Sequence, residues 1–240
     1  MGRAGPLLAE MRPLLADMLH TVMPRRCASC GTPLHVMEQH WCCLCAFMWV
    51  RITHASTSRF DGRMDWAFGW SWLSMAQPFV RPLVHAMKYN GNPQLGAALG
   101  STMAEEWVAG KNHISALPLD RWKVVPVPLH KRRKRKRGFN QSLQLALGWC
   151  KVTGMEIAPV LVRTHSDRSF TRFNRNERIA RHRSRFAWDQ TLPPPRAEVS
   201  GLIIMDDVVT TGSTLESLHH TLRRHWSGPL AYVTLADAGH

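Results

Sequence analysis

The sequence has 240 residues, 45% of them hydrophobic and 20% charged, which is enough chain to bury a sizeable core without a disulfide scaffold. Lys and Arg number 31 against 17 Asp and Glu, a formal net charge of +14. This composition excludes a disordered, collagen-like or coiled-coil chain, and no run of ~18 apolar residues offers a transmembrane helix.

Residues 1–24 carry apolar side chains from Leu7 to Leu19 at helical spacing, interrupted by Glu10 and Asp17. That pattern predicts an amphipathic helix and not a signal peptide, so a cytoplasmic location is expected. Residues 25–50 hold Cys27-x2-Cys30 and Cys42-x2-Cys45. In an unexported chain such pairs mean metal more often than disulfide. Two thiolates in one tight turn can face one ion, and a second turn closes a tetrahedral four-thiolate site, so a structural zinc is expected. His35 and His40 stand near enough in sequence to be alternative ligands. Cys150, in a helical pattern among apolar residues, reads as a small core side chain.

Residues 53–63 read as a linker, and the remainder, 60–240, as one larger domain. Trp66, Phe68, Trp70 and Trp72 alternate with smaller residues, predicting a strand with one aromatic, buried face. Helices are expected at Phe79–Met87, Gln94–Val108 and Asn140–Val152, with a short β-type run at Val124–Val127. The excess charge is local. Seven basic residues run unbroken from Lys131 to Arg137, and eight arginines lie between Arg163 and Arg185. The rest is close to neutral, which points to a polyanionic partner or phosphate ligand. Arg172, Arg175, Arg178 and Arg181 recur every third residue, on one side of a helix expected over 172–185. A loop follows at Pro193–Pro195. Gly201–Met205 is a continuous apolar run, the mark of a central parallel strand. A helix over Ser213–Trp226 and a strand over Leu230–Leu235 complete an α/β fold with a mostly parallel sheet.

The sharpest pattern begins where that central strand ends, at Asp206-Asp207-Val208-Val209-Thr210-Thr211-Gly212-Ser213-Thr214. An apolar strand delivers two carboxylates, and a hydroxyl-rich turn opens into a helix. Helix N-termini offer unsatisfied N–H groups and a positive dipole to a phosphate, and Gly212 lets the backbone approach. Carboxylates beside a phosphate make sense if they accept hydrogen bonds from sugar hydroxyls or help position hydrated magnesium.

This segment resembles the phosphoribosyl pyrophosphate (PRPP) motif of type I phosphoribosyltransferases. The resemblance implies that Asp206 and Asp207 hold the ribose 2′- and 3′-hydroxyls and that Thr210 to Thr214 cradle the 5′-phosphate. Val125-Pro126-Val127-Pro128-Leu129, then Arg133, Arg137 and Gly138-Phe139-Asn140-Gln141-Ser142, together with His85-Ala86-Met87-Lys88-Tyr89 and the four cysteines, are similar to the competence protein F (ComF) family in the family's order. That family implies a zinc knuckle joined to a phosphoribosyltransferase-like domain, and a part in bacterial uptake or use of external DNA beside a helicase machinery. Phe170 and Arg181 stand where the family carries Gln and Asn, whereas Arg178 and Phe186 match. Thr210 stands where purine-salvage relatives carry an acid.

Two readings follow. In the first, PRPP and magnesium serve a phosphoribosyl transfer in which Lys88, Arg133 and Arg137 are candidates to contact pyrophosphate, with Arg178 a candidate for pyrophosphate or DNA, and no residue is marked as the base. In the second, the protein binds PRPP as a DNA-handling accessory, its basic segments tracking a single-stranded backbone.

Overall fold

The apolar run that opens at Gly201 has Leu202, Ile203, Ile204 and Met205 fully buried, so both faces of that strand are covered. The computed structural model describes residues 25–52, 64–110, 121–164, 185–193 and 198–239. The expected N-terminal helix, the 53–63 linker and nearly all of the 172–185 helix lie outside these residues, as do Phe170, Arg178, Arg181, Pro194 and Pro195. The chain divides into two compact units, Met1–Trp49 and Val50–His240.

The smaller unit contains one short helix, α1 (Cys43–Met48). The larger unit contains, in order, β1 (Trp66–Ser74), α2 (Val80–Tyr89), α3 (Pro93–Val108), β2 (Trp122–Pro126), α4 (Lys131–Arg137) and α5 (Gln141–Thr153). Then follow β3 (Glu156–Ile157), β4 (Leu161–Arg163), β5 (Phe186–Trp188), β6 (Gly201–Val209), α6 (Ser213–Leu222) and β7 (Leu230–Asp237). Five strands pair in the order β1-β7-β6-β2-β3, each pair parallel, as the α/β reading expects. β4 and β5 form a separate antiparallel ribbon.

One face of the sheet lies under α3 and α5, where Phe68 and Trp70 of β1 meet Trp107 and Trp149 at ring separations of 5.4–6.2 Å. The other face carries α6 and the ribbon, with Ile204, Leu218 and Trp188 in its core. The aromatic face expected for β1 is buried, with one correction. A bulge between Trp66 and Phe68 shifts the pleat, and Trp66 packs on the opposite side against His219 and Tyr232. An extra residue in a strand re-aims the side chain before it, so strict alternation fails at that point.

The topology positions the site. From β2 the chain adds β3 on one side, then crosses back to place β6 on the other. The strand order therefore reverses between β2 and β6. In open α/β sheets, ligands bind beyond the carboxyl ends at such a reversal.

Candidate functional site

A cavity of about 320 Å³ opens at that reversal. Its floor is the end of β2, running into Val127, Pro128 and Leu129, and the end of β6 at Asp206, Asp207 and Val208. Val127 N donates to Met205 O at 2.9 Å, carrying the β2–β6 pairing one residue past the strand. Asn140 Nδ2 donates to Val127 O at 2.9 Å, which ties the loop after β2 to the start of α5.

Asp206 and Asp207 are half-buried and held differently. Asp206 Oδ1 accepts from Ser142 Oγ at 2.9 Å and from the Asp207 backbone N at 2.8 Å. Asp207 Oδ2 faces Lys88 Nζ at 3.1 Å. Burial at the sheet end, reinforced by the neighbouring Asp207 charge, pushes the Asp206 carboxyl up to about 7, although Ser142 and Lys88 pull the other way. Desolvation and a like charge both penalise the ionised form.

Five cations line the same cavity: Lys88, Arg133, Arg137, Arg163 and Arg185. Arg133 and Arg137 are four residues apart on α4 and so share one of its sides. Arg137 donates to Gln141 Oε1 at 3.0 Å and to the Tyr89 hydroxyl at 3.3 Å. Arg163 and Arg185 come from the two arms of the β4–β5 ribbon, where Thr164 N donates to Arg185 O at 2.9 Å. The guanidinium of Arg163 lies over the Phe186 ring at 5.2 Å. Five cations against two carboxylates make a basin suited to a multiply charged phosphate ligand that also carries hydroxyl donors.

Of the turn after β6, Thr214 lines the cavity, whereas Val209, Thr210, Thr211, Gly212 and Ser213 do not. Val209 is buried at the strand end, Thr210 and Thr211 are exposed, and Ser213 begins α6. Gly212 has φ +77°, the left-handed conformation that favours glycine, and α6 has no side-chain cap. Thr214 lines the cavity from the first turn of that helix. Gly212 at the N-cap has no side chain to cap the helix, and the first helical N–H, that of Ser213, donates to Thr211 Oγ1 at 3.4 Å.

Of the residues singled out from sequence, Lys88, Arg133, Arg137, Asp206, Asp207, Val208 and Thr214 come together here. Arg178 lies outside the described residues. In the sequence, Ser142 is named only within the family-like run, and Arg163 and Arg185 only as the bounds of the arginine-rich segment, without individual roles. The apolar flanks Leu161-Val162 and Phe186-Ala187-Trp188 add a second signal, since Arg163 ends one short strand and Arg185 precedes the other.

The cysteines form a second centre in the smaller unit. The Sγ atoms of Cys27, Cys30, Cys42 and Cys45 all lie within 4.8 Å of one another. Four thiolates ~2.3 Å from one tetrahedral ion lie roughly 3.8 Å apart, and Cys30 Sγ is 3.8 Å from Cys42 Sγ. Backbone N–H groups of Ser29 and Cys42 point at Cys27 Sγ at 3.4 and 3.3 Å, and a hydrogen bond with Thr32 pulls the Cys30 thiol down to about 6. The Thr32 contact favours the thiolate of Cys30, whereas burial pushes the Cys45 thiol up. The set fits a closed metal site, and His35 and His40 are not part of it. Glu38 braces the intervening loop, its carboxylate accepting from His35 N and Cys43 N at 2.8 and 2.7 Å. Among the described residues no helix is long and apolar enough to cross a membrane.

No protein-family model matches the chain. The DNA utilization protein YhgH of Salmonella typhi is 32% identical over 162 residues, covering 65% of this chain and 67% of that protein. The chain belongs to the YhgH family. Other YhgH proteins are comparably similar: that of Salmonella typhimurium is 30% identical over 161 residues, with the same coverage. That of Escherichia coli strain K12 is 28% identical over 151 residues, covering 62% of this chain and 63% of that protein. The chain thus spans about two thirds of the length of the YhgH relatives it matches.

Proposed function

We propose that this chain is a ComF-like, phosphoribosyltransferase-fold protein that binds PRPP with magnesium in the β2–β6 cavity and acts in bacterial DNA uptake or utilization. The observation that carries this reading is the union, in one cavity, of a carboxylate pair, Thr214 from the first turn of α6 and five converging cations. Asp206 and Asp207 accept from the ribose hydroxyls, the Thr210–Thr214 turn takes the 5′-phosphate, and Lys88, Arg133 and Arg137 take the pyrophosphate. Magnesium fits as a hydrated ion carried by the ligand's own phosphates. Two carboxylates are too few for an all-protein cage, and the cysteine set is the one larger metal-capable cluster among the described residues. The part in DNA handling is supported by the printed names of the relatives and by the basic α4, which suits a single-stranded backbone. The cysteine knuckle holds a structural zinc, since four thiolates leave no open position for chemistry.

Calorimetric titration with PRPP and magnesium tests the ligand. Binding is expected for the wild type and is expected to fall at least tenfold in Asp207→Asn with the melting temperature retained. Equal binding by the variant would remove the assignment. A second reading, transfer of the phosphoribosyl group to an acceptor, draws on Asp206, whose carboxyl lies near neutrality and could take the acceptor's proton. Pyrophosphate release from PRPP on adding candidate acceptors separates transfer from binding alone.

A further inference from the structure

The basic helix beside the cavity has two sides with different neighbours. Arg133 and Arg137 line the cavity, whereas Lys131, Arg132, Lys134, Arg135 and Lys136 do not, and those five are exposed. Next to its C-terminal end stands an aromatic pair from α2. Tyr89 is 51% exposed, and its ring centroid is 4.7 Å from that of the exposed His85, one helical turn earlier. The Arg137 guanidinium lies 5.0 Å over the Tyr89 ring while it donates to the Tyr89 hydroxyl at 3.3 Å. Gln141 holds that guanidinium from behind, accepting at 3.0 Å. The ladder Arg137–Tyr89–His85 is thus preorganised and solvent-facing, and it buries no core.

Resting on the reading that this chain handles single-stranded DNA, we propose that Tyr89 and His85, braced by Arg137, stack one base of a single strand whose backbone runs over the outward side of α4. Exposed aromatics beside a cationic track are what sequence-tolerant single-strand binding needs, because every base has a π-face and every linkage a phosphate. A duplex hides its base faces, and an anionic lipid surface would use the five outward cations without the rings. Arg137 belongs to both structures. Its guanidinium faces the phosphate cavity and also braces the platform, so an occupied cavity and a bound strand meet at one side chain.

The test is anisotropy of the full chain with labelled oligo-dT and with an abasic tetrahydrofuran strand of the same length. Tyr89→Ala is expected to weaken oligo-dT roughly 5- to 100-fold, the stacking of about one base, and to leave the abasic strand unchanged. Tyr89→Phe, which keeps the ring, is expected to bind oligo-dT within about twofold of wild type. Changing Lys131, Arg132, Lys134, Arg135 and Lys136 to Gln is expected to reduce the steepness of log K against log salt by roughly 3 for both strands. Wild-type affinity in Tyr89→Ala, with that salt effect intact, overturns the platform and leaves the DNA reading standing. Equal losses on both strands overturn stacking in favour of a misplaced Arg137. No oligo-dT binding by the wild type overturns both, as does binding only to phosphatidylserine vesicles.

Discussion

Asp206 sits where a sheet strand ends inside the protein, with a second carboxylate one residue away and a single hydroxyl, Ser142 Oγ, reaching it from another element. Its pKa of about 7 lies above its ordinary value near 3.8, so the folded state holds a proton that the unfolded chain releases. Stability from this group is complete below pH ~4 and is lost as pH rises towards 7. Asp206→Asn, which cannot ionise, should therefore be more stable than wild type at pH 8. The gap should close towards pH 4. Urea melts of the two proteins across that range check the sign, and parallel curves would show that the carboxyl is unshifted. A ligand hydroxyl that donates to Asp206 should relieve the same penalty, since it stabilises the ionised form. Residue identity at this position was legible in the sequence, because an acidic pair at the end of an apolar run has few other reasons to exist. Its titration was not, since it depends first on how far the folded sheet buries the carboxyl, which the local sequence does not show.

Helices α3 and α5 cross on glycines. A Cβ at Gly100 would stand 2.0 Å from Leu145 O, and one at Gly148 would stand 1.9 Å from Ala97 O. Both obstacles are backbone, so neither helix can yield without moving as a body. Gly148→Ala is expected to cost about 1–3 kcal/mol through overpacking, lowering the melting temperature by several degrees. An unchanged melt would mean that the helices lie farther apart. Among the elements, those with a core-facing pattern were legible: the apolar run of β6, the aromatic alternation of β1 and the helical spacing of α3 and α5. α4 was not, because seven consecutive cations present no apolar stripe to read. Its signals were local: His130, whose Nδ1 accepts from Arg132 N at 3.2 Å, and Gly138, whose φ of +81° ends the helix in the left-handed conformation. The β4–β5 ribbon was hidden for a different reason. Each of its strands has three residues, too short for a period, and only their pairing brings Arg163 and Arg185 to the cavity.

At the scale of the molecule, the buried hydrophobic side chains described in the smaller unit are Cys27, Leu34, Cys42, Cys45 and Trp49, and the proposed zinc would tie three of them, with Cys30, to one point. Protein prepared without chelator is expected to carry about one zinc per chain by metal analysis. Stripping that zinc should open residues 25–49 to protease while leaving the larger unit's thermal transition in place. A preparation without metal would sink the assignment. The sheet order has a consequence for how the chain comes to exist. β1 and β2 are made early, yet in the finished sheet they are separated by β7 and β6, the last strands to be synthesised. Until residue 209 has left the ribosome the edge of β2 that will take β6 stays bare, and β1 has no β7 to pair with until residue 237 follows. The Trp-rich strand β1 must therefore wait, an aggregation-prone interval for so apolar a segment. The floor of the cavity is incomplete until β6 is made, because Asp206 and Asp207 lie on that strand. A chain made no farther than residue 205 therefore carries the cavity's five cations without the two carboxylates they face.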